Sequence, residues 1–149
     1  LVVGIVLLRL GYYAVGVVRG DNLVSFKHGT RYVKRSHRAG GSSQRRFERS
    51  RQRLIRELYD KTCLIAKTVL VPFSGESDYL FMGGEKHTLY GLVSRCTFLE
   101  RLAPITLERR LDVQRPGREA LERIPYEIRR SRVTIFTRHG AEYGFLTSE

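Results

Sequence analysis

The chain has 149 residues, 42% of them hydrophobic and 10% aromatic, enough to bury one ordinary core and to form a single α/β domain over residues 1–149. This composition excludes a disordered polyelectrolyte. A formal net charge of +12, with 22 arginines among the 27 basic residues, points to a polyanionic partner bound through phosphate contacts. Codon usage that favours arginine explains the arginine excess equally well. No stretch combines basic residues with an exposed aromatic face, so a membrane surface is the weaker choice of polyanion.

The apolar run Leu1 to Leu8 is far shorter than the roughly 20 residues of a spanning helix and reads as a buried strand. The chain starts on Leu1, without a methionine, which points to an N-terminal segment outside this sequence. Val2 to Arg9, Tyr12 to Arg19 and Leu23 to Val33 are β-rich runs separated by Gly11 and by Gly20-Asp21-Asn22. They predict a three-strand antiparallel meander. Residues 34 to 43 lack a hydrophobic period and predict an exposed, mobile loop.

From Gln44 to about Val69 the period becomes helical. Phe47, Leu54, Leu58, Ile65 and Val69, with Ile55 adjoining, form one apolar face; Ser42 or Ser43 is the expected N-cap and Pro72 the stop. Arg45, Arg46, Arg49, Arg53 and Arg56 occupy the other side as a basic rod. Tyr79 to Met82 predicts a short strand, Glu85 to Cys96 a helix, Ile105 to Val113 a strand, and Arg118 to Arg130 a helix bent at Pro125. Val133 to Phe136 and Tyr143 to Leu146 predict terminal strands. Three antiparallel strands followed by alternating helices and strands is the order of a ribonuclease-H-like mixed sheet.

Charge is concentrated. Residues 27 to 57 hold eleven cations, among them Lys34, Arg35, Arg38, Arg45, Arg46, Arg49 and Arg53, against Glu48 and Glu57. That is +9 of the +12, and charge serving solubility alone would be spread and mixed in sign. Phe26, Tyr32 and Phe47 lie in or near this window. Phe47 reads as core and Tyr32 as a strand residue, so no base-stacking platform is inferred.

Several chemistries fail. The first strand carries no Asp or Glu, so a two-metal nuclease has no inward carboxylates to hold its ions. His28, His37, His87 and His139 with Cys63 and Cys96 show no ligand spacing; they read as surface histidines and two buried thiols in a cytosolic protein. No metal or cofactor is expected. Gly83-Gly84-Glu85-Lys86-His87-Thr88 lacks the order of a phosphate loop and reads as a strand-to-helix turn. Ser42 and Ser43 have no nucleophile elbow around them.

The runs Leu10-Gly-Tyr-Tyr-Ala-Val-Gly-Val-Val-Arg-Gly, Gly29-Thr-Arg-Tyr-Val and Gly40-Gly-Ser-Ser-Gln-Arg-Arg-Phe resemble the Vms/ANKZF-type peptidyl-tRNA release domain. That family is related to the middle domain of archaeal and eukaryotic class I release factors, whose tip carries Gly-Gly-Gln. The resemblance implies a ribonuclease-H-like core whose loop enters the peptidyl transferase centre of the large ribosomal subunit. It makes Gln44 the functional glutamine and Gly40 and Gly41 the glycines that admit the loop. The implied reaction is release of nascent chains from peptidyl-tRNA on stalled subunits, as a monomer contacting rRNA, by ester hydrolysis or by cutting the tRNA near its 3′ end. An untitratable glutamine suffices there because it only positions water and developing charge. Here two serines separate Gly41 from Gln44, and 149 residues leave no room for a stop-codon-reading domain. The alternative is a binding module for rRNA or tRNA of the same fold, without catalysis.

Overall fold

The computed structural model describes residues 1–35, 42–107, 115–129, 133–136 and 142–146. The meander forms as expected: β1 (Val2–Arg9), β2 (Tyr12–Arg19) and β3 (Asn22–Thr30) pair antiparallel in sequence order. A long helix α1 (Ser42–Leu70) returns along the sheet, and β4 (Tyr79–Gly84) then enters beside β1 in parallel. Next come α2 (Lys86–Arg95), α3 (Thr97–Arg101) and β5 (Thr106–Leu107), the last parallel to β4. Helix α4 (Arg118–Arg129) follows, with Pro125 inside it. The result is a five-stranded mixed sheet of order β3-β2-β1-β4-β5. Among the described residues, the terminal strands β6 (Val133–Phe136) and β7 (Glu142–Leu146) pair antiparallel with each other as a two-stranded sheet.

Both faces of the sheet are covered, which is why β1 reads as an unbroken apolar run. Val2, Val6 and Leu8 of β1 join Tyr13, Val15 and Val17 of β2 against α1, α2 and α3. The alternate residues Val3, Ile5 and Leu7 pack with Ala14 and Val18 against Ala120, Leu121, Ile124 and Ile128 of α4. Gly29 lies opposite Tyr13, and a Cβ there would meet the phenol oxygen at 2.5 Å. This glycine of the Gly29-Thr-Arg-Tyr-Val run therefore makes room for a core tyrosine. Gly84 has φ +142° and stands so close to Leu8 that a Cβ would meet its carbonyl at 2.2 Å. The Gly83-Gly84 stretch is a strand-to-helix turn shaped by packing, as expected.

The elements differ from expectation in four places. β3 ends at Thr30, because beyond it the chain leaves β2 to follow α1; Tyr32, expected in the strand, stands outside it and is 72% exposed. α1 begins at Ser42, so Ser42 and Ser43 both lie in its first turn. The five-residue α3 was not foreseen, since so short a helix leaves no periodic signature. β5 is two residues long where Ile105 to Val113 was expected, and residues 108–114 lie outside the described residues.

The two cysteines are not thiols. Cys63 on α1 and Cys96, between α2 and α3, form a disulfide with Cα atoms 5.6 Å apart, a separation suited to that bond. Two residues 33 apart in sequence meet only because α2 docks on α1, so their spacing carried no signal. Cysteine usage then says nothing of compartment. The same contact carries an Arg95–Asp60 fork, with Nε donating to Oδ1 at 3.0 Å and Nη2 to Oδ2 at 2.9 Å. The Asp60 carboxylate holds the Arg95 pKa above its ordinary value, first through this hydrogen bond. Tyr59 lies over Gly91, where a Cβ would meet its hydroxyl at 2.5 Å. Burial, and then the nearby Glu85 charge, raise the Tyr59 pKa.

Candidate nucleic-acid interface

α1 has two unlike halves. Its first buried residue is Ile55, and from there to Leu70 one face of the helix is core: Leu58, Tyr59, Thr62, Ile65, Ala66, Val69 and Leu70 are all buried. Ser42 to Ile55 is thirteen steps of helix, about 20 Å, and none of residues 43–54 in it belongs to the buried core. Arg45, Arg46, Arg49 and Arg53 are exposed there, as is Arg56 just beyond it, and Arg45, Arg49, Arg53 and Arg56 share one stripe at steps of four, four and three. The first turn contains no acidic residue but does contain Arg45. Positive charge at this end opposes the helix dipole, an arrangement unfavourable to the free helix and favourable to a bound anion.

An unsupported rod of this length would fray, and a strap prevents it. The Arg31 amide donates to the Gly11 carbonyl at 2.9 Å, so the chain leaves β3 anchored to the β1–β2 hairpin. The Arg31 guanidinium then lies 3.6 Å from Glu57, the Arg51 Nε donates to the Lys34 carbonyl at 3.0 Å, and the Lys34 Nζ donates to Ser50 Oγ at 2.8 Å. The Lys34 ammonium also sits 5.4 Å from the centroid of the Phe47 ring. Residues 31 to 34 thus climb antiparallel to the helix from Glu57 to Phe47. Lys34 is half-buried, and with Arg51 it spends its charge on holding the rod; Arg35 is exposed beside it.

Gln44 is the third residue of α1. It lies in the helix rather than in a loop, half-buried, and its Nε2 donates to Glu48 Oε1 one turn on at 3.3 Å. The bond fixes the amide at the far end of the rod, among Arg45, Arg46 and Arg49. Arg38, Gly40, Gly41 and most of the expected 34–43 loop lie outside the described residues. Among the described residues, no three His, Cys, Asp or Glu side chains come together as metal ligands, and no helix is long and apolar enough to cross a membrane.

A second basic cluster has no counterpart in the charge pattern of the sequence. Arg115, Arg118 and Arg123 lie far from the 27–57 window in sequence, yet the fold sets all three beside Tyr12 and Thr30, and Arg115 also beside Tyr32 and Val33 of the strap. Pro116-Gly117, which opens α4, was the only local cue.

These features together define a mixed α/β domain with a five-stranded mixed sheet and a long helix whose outer half carries a stripe of arginines. Its fold is similar to the crystal structure of the archaeal translation termination factor aRF1, with a TM-score of 0.60 at 17% identity, over 86% of this chain and 37% of that one. The chain belongs to the Actinobacteria/chloroflexi VLRF1 release factor family, whose model matches residues 2–134. This agrees with the resemblance carried by residues 10 to 47. Relatives include peptide chain release factor subunit 1 of Archaeoglobus fulgidus, 32% identical over 85 residues, and that of Methanosphaera stadtmanae, 31% identical over 87. These alignments cover 57% and 58% of this chain but 21% of each relative. The chain therefore spans a minor part of their length.

Proposed function

We propose that this domain frees nascent chains from peptidyl-tRNA on stalled large ribosomal subunits. In this reading the strapped arginine rod lies against rRNA and carries Gln44 toward the ester in the peptidyl transferase centre, with Gly40 and Gly41 giving the preceding segment its close approach. The observation that carries it is the placement of Gln44: a fixed, untitratable amide at the end of a projecting helix lined with Arg45, Arg46, Arg49 and Arg53. Family membership and the aRF1-like fold support the release-factor part, and the sheet order supports a ribonuclease-H-like core. The domain acts as a cytoplasmic monomer.

Chemically, the Gln44 amide orients a water toward the ester carbonyl and offers a hydrogen bond to the charge that develops there, while rRNA furnishes the remaining groups. Since Gln44 does not titrate, the pH dependence of release is set outside this side chain. Arg35 and Arg38 add further phosphate contacts in this reading.

The test is a single-turnover assay on stalled large subunits carrying labelled peptidyl-tRNA. Gln44→Ala is expected to bind subunits like wild type and to release peptide at least a hundredfold more slowly, the scale of losing one positioned hydrogen-bond group. Equal release would overturn the catalytic role. The tRNA product sorts the two routes: an intact 3′ end marks ester hydrolysis, a shortened one marks cleavage of the tRNA. A protein that binds subunits through the same arginines and releases nothing is the binding module.

A further inference from the structure

At the foot of the rod, on the α4 side of the sheet, lies a cleft of two adjoining lobes. The upper lobe, about 700 Å³, is lined by Arg9, Tyr12, Thr30, Tyr32, Arg35 and Arg115. The lower, about 690 Å³, shares Tyr12, Thr30 and Arg115 and continues past His28 to Arg118 and Arg123. Each lobe has the volume of a small-ligand site, room for one or two nucleotides and too little for a duplex. Neither lobe touches Gln44 or the outer arginines of the rod.

Two features of the lining select the ligand. Positive charge predominates: among the described residues of the lining, Arg9, Arg35, Arg115, Arg118 and Arg123 stand against one carboxylate, Glu119, and Arg118 is itself paired with Glu122. Flat surfaces alternate with that charge. Tyr32 is 72% exposed, the Arg115 guanidinium lies 5.0 Å over the Tyr12 ring, and Arg118 lies 5.2 Å over Phe26, which stacks on His28. Guanidinium planes and open tyrosine faces stack on unpaired bases, which a duplex keeps inside its helix. An acidic peptide would meet the arginines and leave the stacking planes unused.

We propose that this cleft binds a short single-stranded segment of RNA, its phosphates on Arg35, Arg115 and Arg123 and its bases stacked against Tyr32 and the Arg115–Tyr12 pair. The proposal rests on the ribosomal reading above and extends it. The rod and the cleft meet at the strap, so one RNA-bound domain would hold helical rRNA with the rod and an unpaired strand with its base.

Fluorescence anisotropy with labelled five-nucleotide oligoadenylate, oligouridylate and a blunt RNA duplex tests it, on the full chain. Wild type is expected to bind oligoadenylate more tightly than oligouridylate, since purines stack better, and to bind the duplex least. Tyr32→Ala is expected to weaken oligoadenylate binding about tenfold, the scale of one lost base stack. Arg115→Glu with Arg123→Glu is expected to flatten the salt slope by about 1.4, from two lost phosphate contacts on a single strand. All three side chains are exposed apart from their ring and charge contacts, and an unchanged melting temperature checks the fold. No oligonucleotide binding by wild type, unchanged binding by the cleft variants, or a preference for duplex would each overturn the proposal. The rod variant Arg45→Glu/Arg46→Glu/Arg49→Glu separates the two readings: it is expected to lose subunit binding and keep the strand. If it keeps subunit binding, the ribosomal reading fails whatever the cleft does.

Discussion

The two halves of α1 differ in every respect that matters physically, although they are one continuous helix. From Ile55 to Leu70 it is packed on the sheet, tied to the α2–α3 corner by Cys63–Cys96 and Asp60–Arg95, and buried on its apolar face. From Ser42 to Leu54 it carries exposed arginines and depends on a four-residue strap instead of a core. The lesson is a division of labour along one helix: the inner half supplies stability, so the outer half can be made of residues that a folding chain alone would not favour. Substitutions in the two halves should therefore have opposite signatures.

The largest expected effect on stability is in the inner half. Leu58 is fully buried between α1 and the sheet, so Leu58→Ala should cost about 2–5 kcal/mol through lost burial and the cavity left behind. Urea melts would check this; a cost below about 1 kcal/mol would mean that the inner half is not the anchor. Next comes the disulfide. Cys63→Ser with Cys96→Ser should lower stability by about 2–4 kcal/mol, mainly by freeing the unfolded chain. The rod arginines should still bind RNA below the new melting temperature.

A smaller effect concerns pH. Burial keeps the Tyr59 phenol neutral in the folded state to a pH above its ordinary value of 10.0. The folded pKa is raised, so this contribution is fully present below about pH 10 and falls away as the pH climbs through the unfolded and then the folded value. Wild type should lose more stability than Tyr59→Phe between pH 9 and 11, compared by parallel denaturant titrations; identical slopes would contradict the assignment.

The local parts of this molecule were legible in its sequence, and the long-range parts were not. β1 and β2 keep their predicted limits because each is a β-branched run closed by a tight turn. The inner apolar face of α1 follows from residue spacing alone. The strap does not, since Arg31, Lys34, Ser50 and Arg51 meet only once β3 and α1 are both in place. Lys34 shows the cost: counted with the phosphate-binding charges, it spends its ammonium on Ser50 and Phe47. Tyr32 reads as a strand residue by composition and becomes an exposed face of the cleft because β3 stops two residues earlier. Arg115 and Tyr12 are separated by a hundred residues of chain, and no window on the sequence brings them together.

The smallest expected effect on stability is also the most direct test of the division. The triple variant Arg45→Glu/Arg46→Glu/Arg49→Glu alters only exposed side chains of the outer half, where each substitution should fall within about 0.5 kcal/mol. Its binding to large ribosomal subunits, followed by co-sedimentation over a salt series, should collapse and lose most of its salt dependence. An unchanged melting temperature with lost binding is the predicted result. Unchanged binding, or unfolding of the domain, would contradict the account.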